Sequence, residues 1–193
     1  MAWDDVRSDG QTLTAAQLNE TVAEITHLTS RALTLSAYSA IQAGTNSAVL
    51  AQLDTELNYD FPIPYAIFTD AGAGTEKLCW LTPIESNWNG TYVTAQIELM
   101  SATTVTANSE WKLYAVRIPS GGTMDADPLQ VGGDILVSHA TQYYKYLSAV
   151  TSPFLITGTG NTILWELRRS PDAQDTLNGV DAWFIAVKIL YGV

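Results

Sequence analysis

A single cysteine in 193 residues excludes an internal disulfide framework, so stability rests on packing and on association. That cysteine, Cys79, sits in the apolar run Lys77-Leu78-Cys79-Trp80-Leu81 and reads as a small buried hydrophobe rather than a reactive thiol. Histidine is almost as scarce. His27 and His139 have no cysteine or carboxylate at ligand spacing, which excludes a local zinc motif, and both read as ordinary surface or interface histidines. Basic residues number 9 against 20 acidic ones, for a formal net charge of −11. Such a field repels phosphate backbones and anionic bilayers, so nucleic acid and membrane are not expected as partners. No stretch approaches the ~20 apolar residues of a membrane span, and no basic region followed by an apolar run opens the chain. A soluble protein made without a secretory signal is the expectation.

What is present is apolar. Hydrophobic residues make up 47% and charged residues 15%, which supports a packed core and not a disordered tail. The length suits one ordinary domain plus an appendage. Residues 1–35 read as the appendage and residues 36–193 as the domain. Residues 1–12 are aperiodic with Trp3 and Val6 as their large apolar groups, the composition of an attachment arm. Thr14-Ala15-Ala16-Gln17 then has the form of a capping box, and Leu13 with Leu18 adds a hydrophobic staple. Apolar residues recur at threes and fours through Leu18, Val22, Ile25, Leu28, Ala32 and Leu35, which predicts a helix to about residue 35. That face serves equally as a trimer seam or as a surface packed on the chain's own domain.

Residues 36–60 fit either a helical continuation broken at Gly44-Thr45-Asn46 or two strands meeting there, with strands favoured by Thr34, Tyr38 and the Ser/Thr alternation. From Tyr59 the period becomes two. Val93, Ala95, Ile97 and Leu99 alternate with Tyr92, Thr94, Gln96 and Glu98, the pattern of a sheet with one buried face. Trp111, Leu113 and Ala115 repeat it. Further strands are predicted near 129–137, 142–150, 162–169 and 181–191, separated by turn chemistry at Asn87-Trp88-Asn89-Gly90, Pro119-Ser120-Gly121-Gly122, Gly158-Thr159-Gly160-Asn161 and Asn178-Gly179. About eight strands imply a mainly β, jelly-roll-like antiparallel sandwich. The last strand is apolar on both faces, with Ala182, Phe184, Ala186 and Leu190 opposing Trp183, Ile185, Val187, Ile189 and Tyr191, and reads as buried on both sides in the sandwich or against another subunit.

No pattern points to catalysis. Gly72-x-Gly74 and Gly158-x-Gly160 lack the Lys-Ser/Thr pair and following helix of a phosphate loop and read as turns. Asp125-x-Asp127 with Asp134 offers oxygen ligands but not calcium-loop spacing, so neither metal nor other cofactor is expected. Trp80, Trp88, Tyr92, Trp111 and the run Tyr143-Tyr144-x-Tyr146 suit sugar stacking as well as core packing, with the loop residue Trp88 the favoured glycan contact.

Two stretches carry a resemblance. Trp3-Asp4-Asp5-Val6 with Asp9-Gly10-Gln11-Thr12-Leu13-Thr14-Ala15 and Leu18-Asn19 resembles the attachment ends of small tailed-bacteriophage structural proteins. Trp165-Glu166-Leu167-Arg168-Arg169 and the run from Asp175 through Trp183 to Tyr191 is similar to the C-terminal strands of phage jelly-roll fibre and decoration modules. The resemblance implies a non-enzymatic homotrimer on the particle surface, made in the host cytoplasm. Its arm, through Trp3 and Val6, would dock on the major capsid protein or another virion protein, with Leu18, Val22, Ile25, Leu28 and Leu35 along the trimer seam. A capsid decoration or cement protein is the first expectation, and a tail or head fibre binding a host surface glycan through the sandwich the second.

Overall fold

The computed structural model describes residues 30–42, 47–53, 63–69, 76–84, 92–123, 127–170, 172–177 and 179–192. The chain divides into two compact units, residues 1–30 and 31–193, and the second of them holds nearly all the described residues. Trp3, Val6, Leu18, Val22, Ile25, Leu28, His27 and Trp88 all lie outside the described residues.

Eleven strands are described: β1 (Ser30–Ser36), β2 (Ile41–Gln42), β3 (Val49–Leu53), β4 (Ile63–Phe68), β5 (Lys77–Pro83), β6 (Val93–Met100), β7 (Ala107–Ile118), β8 (Leu129–His139), β9 (Lys145–Leu147), β10 (Thr162–Ser170) and β11 (Ala182–Gly192). One sheet runs β3-β4-β11-β6-β9, with β1 also pairing β11, and the other runs β2-β5-β10-β7-β8. They form an antiparallel sandwich. In the second sheet β10 lies between β5 and β7, with Trp165 opposite both Trp80 and Ala115.

The alternation read from sequence builds the core between the sheets. Val93, Ala95, Ile97 and Leu99 point inward from β6, and Trp111, Leu113 and Ala115 from β7. Phe68, Trp111, Trp80 and Phe184 meet there, with the Phe68 and Trp111 rings edge to face at 4.8 Å. Buried indole N–H groups find acceptors, Trp80 on the Ser36 carbonyl at 2.9 Å and Trp165 on the Thr82 hydroxyl at 2.8 Å. Gly160, at φ +127°, lies so close to β7 that a Cβ would stand 2.0 Å from the Ile118 carbonyl oxygen. It is a turn, as its sequence implied.

Three expectations are corrected. Residues 30–36 form strand β1, not the end of a helix, and Leu35 is 1% exposed in the chain's own core instead of lying on a helical trimer seam. The β-branched and hydroxyl residues around it suit a pleated strand better than a helix, and sheet packing overrides the three-four spacing. Leu35→Ala is therefore expected to lower unfolding free energy by about 2–4 kcal/mol in urea titrations while leaving the association state of the folded protein unchanged. A change in sedimentation with stability intact would contradict this placement.

The strand predicted over 142–150 shrinks to β9, because residues 140–144 form a turn. The third correction concerns β11, whose two-sided apolar character comes partly from a register shift between Phe184 and Ala186. Past that irregularity the inward phase moves by one, so Ala182, Phe184, Val187 and Ile189 all join the core. Trp183, Ile185 and Leu190 are only half-buried. The described part of 36–60 is a single 3-10 turn at Ala37–Ser39 and strands β2 and β3.

Candidate functional site

Adjacent residues of a strand face opposite sides, so Trp183-Phe184 must put one ring outside once Phe184 enters the core. Tyr65 on β4 has the same phase as Trp183, since Ala66 and Phe68 point inward. β4 and β11 pair directly, with Trp183 opposite Ile67. The Tyr65 and Trp183 rings thus meet on the outer face of the sheet, centroids 4.8 Å apart at 34°. Burial and the neighbouring Tyr143 push the Tyr65 hydroxyl above its usual range, which keeps it a protonated donor.

A third ring is supplied at a conformational cost. Tyr143, in the turn before β9, has φ +64° and is the one non-glycine residue with positive φ among the described residues. For a bulky L-residue this left-handed geometry costs about 1–2 kcal/mol. Its ring lies 5.9 Å from that of Trp183, again tilted 34°. The turn is fastened in place: the Tyr143 N–H donates to the Ser101 carbonyl at 2.8 Å, Ser101 N–H to the Tyr144 carbonyl at 3.0 Å, and Thr141 N–H to the Tyr146 hydroxyl at 2.7 Å. Lys145 pairs with Glu98 at 2.8 Å beside it.

Tyr143 and Tyr144 are 40% and 65% exposed, whereas Tyr146 turns inward against the His139 ring at 5.7 Å. The aromatic run weighed for sugar stacking is thereby divided, with two rings outside and one inside. Trp80 and Trp111 are buried, so stacking on a ligand is closed to them, while Tyr92 is exposed. A groove of about 340 Å³ is lined by Tyr38, Leu50, Ala51, Pro64 and Tyr65. Tyr38, at 74% exposure, stands at its rim. A second cavity, about 150 Å³ between the sheets, is lined by Leu33, Thr82, Val93, Ile163, Trp165 and Ile189 among others, and lacks convergent polar groups.

Elsewhere the polar groups are sealed. Ser109 Oγ lies 2.7 Å from His139 Nε2, yet both residues are buried, His139 at 1% exposure. Trp111 Nε1–H donates to the same oxygen at 2.8 Å. His139 Nδ1 is buried without a partner among the described residues. Burial depresses the His139 pKa to about 4, with Asp175 opposing and Arg169 adding to the shift, so the ring is neutral at pH 7. This is a core polar pair and not a nucleophile, and it corrects the expectation that His139 lies on a surface. Cys79 is half-buried with its Sγ 3.9 Å from Glu166 Oε2, and burial followed by the Glu166 charge raises its pKa, so it stays an unreactive thiol. No metal-binding group of three His, Cys, Asp or Glu occurs among the described residues; Asp134 is engaged by Gln130 and Lys112, and Asp125 lies outside them. No described helix is long and apolar enough to cross a membrane.

No protein-family model and no curated protein matches the chain. Among the solved structures that match in fold are the following three. The CBM36-1 domain of a multidomain xylanase from the hindgut metagenome of Trinervitermes trinervoides matches with TM-score 0.46 at 11% identity, over 84% of this chain and 98% of that one. A carbohydrate-binding module CBM36 in complex with calcium and xylotriose gives 0.46 at 10% identity, over 81% and 97%. CBM35 from Cellvibrio japonicus Abf62 gives 0.45 at 13% identity, over 84% and 95%. The likeness is one of fold and transfers no residue. The resemblance to phage virion proteins is corrected by these matches: all three are carbohydrate-binding modules and none is a virion protein. The C-terminal residues behind it form β10 and β11, inner strands of the two sheets of an antiparallel sandwich, a pattern any such fold requires.

Proposed function

We propose that this chain is a non-catalytic carbohydrate-binding domain whose ligand lies along Trp183 and Tyr143, with the buried Tyr65 ring supporting Trp183 from behind, on the outer face of the sheet containing β4 and β11. The observation that carries the reading is the left-handed backbone of Tyr143. A fold retains such strain where the conformation serves a purpose, and here it brings a third ring into a row that already holds Tyr65 and Trp183. Aromatic rings with a polar tip suit a sugar, which offers an apolar C–H face and a rim of hydroxyls. Glu98 and Lys145, paired beside the Tyr143 turn, place polar groups next to it.

The test is affinity electrophoresis through a panel of soluble neutral and acidic polysaccharides. Wild-type protein is expected to be retarded by at least one. Trp183→Ala should weaken that retardation about thirtyfold, the loss of one hot-spot ring. Tyr143→Gly should weaken it as well while leaving thermal stability equal or higher, because glycine adopts φ +64° without strain. No retardation by any polysaccharide, or equal retardation of both variants, overturns the proposal. Concentration-dependent self-association that Trp183→Ala abolishes would assign the face to a second copy and overturn it too.

A further inference from the structure

On the outer face of the other sheet, Glu110 of β7 is fully buried, and neither of its carboxylate oxygens accepts a hydrogen bond from an N–H or O–H group of the described residues. Its surroundings are crowded with charge of its own sign. Lys112 Nζ, two residues along the same face, stands 4.0 Å from Glu110 Oε1, 3.9 Å from Asp134 Oδ1 of β8 and 3.1 Å from Asp172 Oδ2 of the segment after β10. Three carboxylates therefore share one ammonium. Of the three, Asp134 and Asp172 keep 41% and 44% of their side-chain surface in water, whereas Glu110 keeps none. Ionising all three would leave an excess negative charge whose most buried member has no solvent and no donor, an arrangement far costlier than holding one proton.

The remaining charged groups nearby are committed elsewhere. On β10, Arg169 is engaged with Asp175, and Arg168 with Glu166 and the Tyr114 ring, to whose centroid its guanidinium lies at 4.6 Å. Asp175 accepts the Glu110 backbone N–H at 3.3 Å, and His139 is neutral. None of them supplies a counter-charge to the Glu110 carboxyl.

We propose that Glu110 and Asp172 share one proton, and that this proton is a latch holding the segment 172–177 against β7 until the pH rises enough to remove it. With the proton in place Glu110 is a neutral acid able to donate to Asp172, and Lys112 balances the ionised Asp172. Once it leaves, Asp172 faces a buried carboxylate and the segment is repelled. The same segment is bound to β7 through Thr176, whose N–H donates to the Asn108 carbonyl and whose hydroxyl accepts the Asn108 N–H, both at 2.9 Å. Burial, then the Asp172 and Asp134 carboxylates, push Glu110 up to about 7, while Lys112 and then Glu110 hold Asp172 below the usual carboxylate range. The transition therefore falls near neutral pH.

Carboxyl carbon NMR and amide hydrogen exchange on the full chain test this. The Glu110 carboxyl is expected to titrate near pH 7, and Asp172→Asn should move that midpoint down by a unit or more. Protection of the Thr176 amide, corrected for the intrinsic pH dependence of exchange, should fall about tenfold between pH 5.5 and 8.5 in the wild type and stay level in Glu110→Gln. A Glu110 midpoint near the ordinary 4.5, or an equal loss of protection in Glu110→Gln, overturns the proposal. Should Glu110→Gln fail to fold, the wild-type titration and its response to Asp172→Asn decide the matter.

Discussion

Replacing Arg169 with alanine is expected to remove about 3–5 kcal/mol of stability, the largest single loss outside the aromatic core. Arg169 is 1% exposed and closes a bidentate pair with Asp175, Nε to Oδ2 at 2.8 Å and Nη2 to Oδ1 at 3.0 Å. Its three remaining hydrogens reach the Leu177 carbonyl at 3.0 Å, the Val180 carbonyl at 2.9 Å and the Phe68 carbonyl at 3.5 Å. Asp175, 4% exposed, also accepts the backbone N–H groups of Leu177 and Glu110. One guanidinium thus ties β10 to the connection leading into β11. Truncation leaves a buried carboxylate without its cation, which costs more than the pair itself contributes. A drop in melting temperature on the order of 10 °C is expected for a chain of this size. Arg169→Met combined with Asp175→Leu should be less damaging than Arg169→Ala alone, and thermal unfolding of the two variants checks it. Equal losses would mean that the connection and not the charge is what matters.

Opposite pH slopes in two single variants are the second expected result. His139 is held to about 4, below its ordinary 6.5, so the unfolded chain binds the extra proton between those values. Its contribution is present above pH 6.5 and is lost as pH falls through 4, by at most about 3 kcal/mol. Glu110 is raised from 4.5 to about 7, so the folded chain binds the extra proton there. That contribution is full below 4.5 and lost as pH rises through 7, again by at most about 3 kcal/mol. Between pH 4.5 and 6.5 the two slopes oppose and largely cancel in the wild type. In Glu110→Gln only the histidine slope remains, and stability should climb from pH 4 to 6.5. In His139→Gln only the carboxyl slope remains, and stability should fall from pH 4.5 to 7. Urea midpoints across that range measure both, and slopes of the same sign in the two variants would defeat the assignment.

The face proposed to hold carbohydrate was only half legible beforehand. The Tyr143-Tyr144-x-Tyr146 run stands out because three aromatics in four residues exceed what one buried face can take. That Tyr143 adopts φ +64° to reach Trp183 depends on the turn being fastened to Ser101, a contact made across about forty residues of chain. Trp183 reads in sequence as part of a buried or interfacial strand. Strict alternation fails across a register irregularity, which period-two reasoning does not detect. The adjacency of Trp183 and Phe184 did contain the signal, since two neighbouring rings on a strand cannot both face the core.

By itself the sequence determined the class of the molecule and the inner faces of its best strands. A period of two, scarce cysteine and glycine-rich turns leave an antiparallel sandwich as the way to bury residues such as Val93, Ala95, Ile97 and Leu99, because burial follows local alternation. Tertiary structure decided what depends on which strands become neighbours. It made residues 30–36 a strand, since pairing with β11 supplies the backbone hydrogen bonds and core contacts that outweigh the helical spacing ending at Leu35. It also buried Ser109, His139, Glu110 and Arg169, polar residues whose environments come from strands and turns far away in sequence. Charge and desolvation act through space, so the pKa of Glu110 and the ring row of Tyr65, Trp183 and Tyr143 exist only once β7 meets the segment after β10 and β4 lies beside β11.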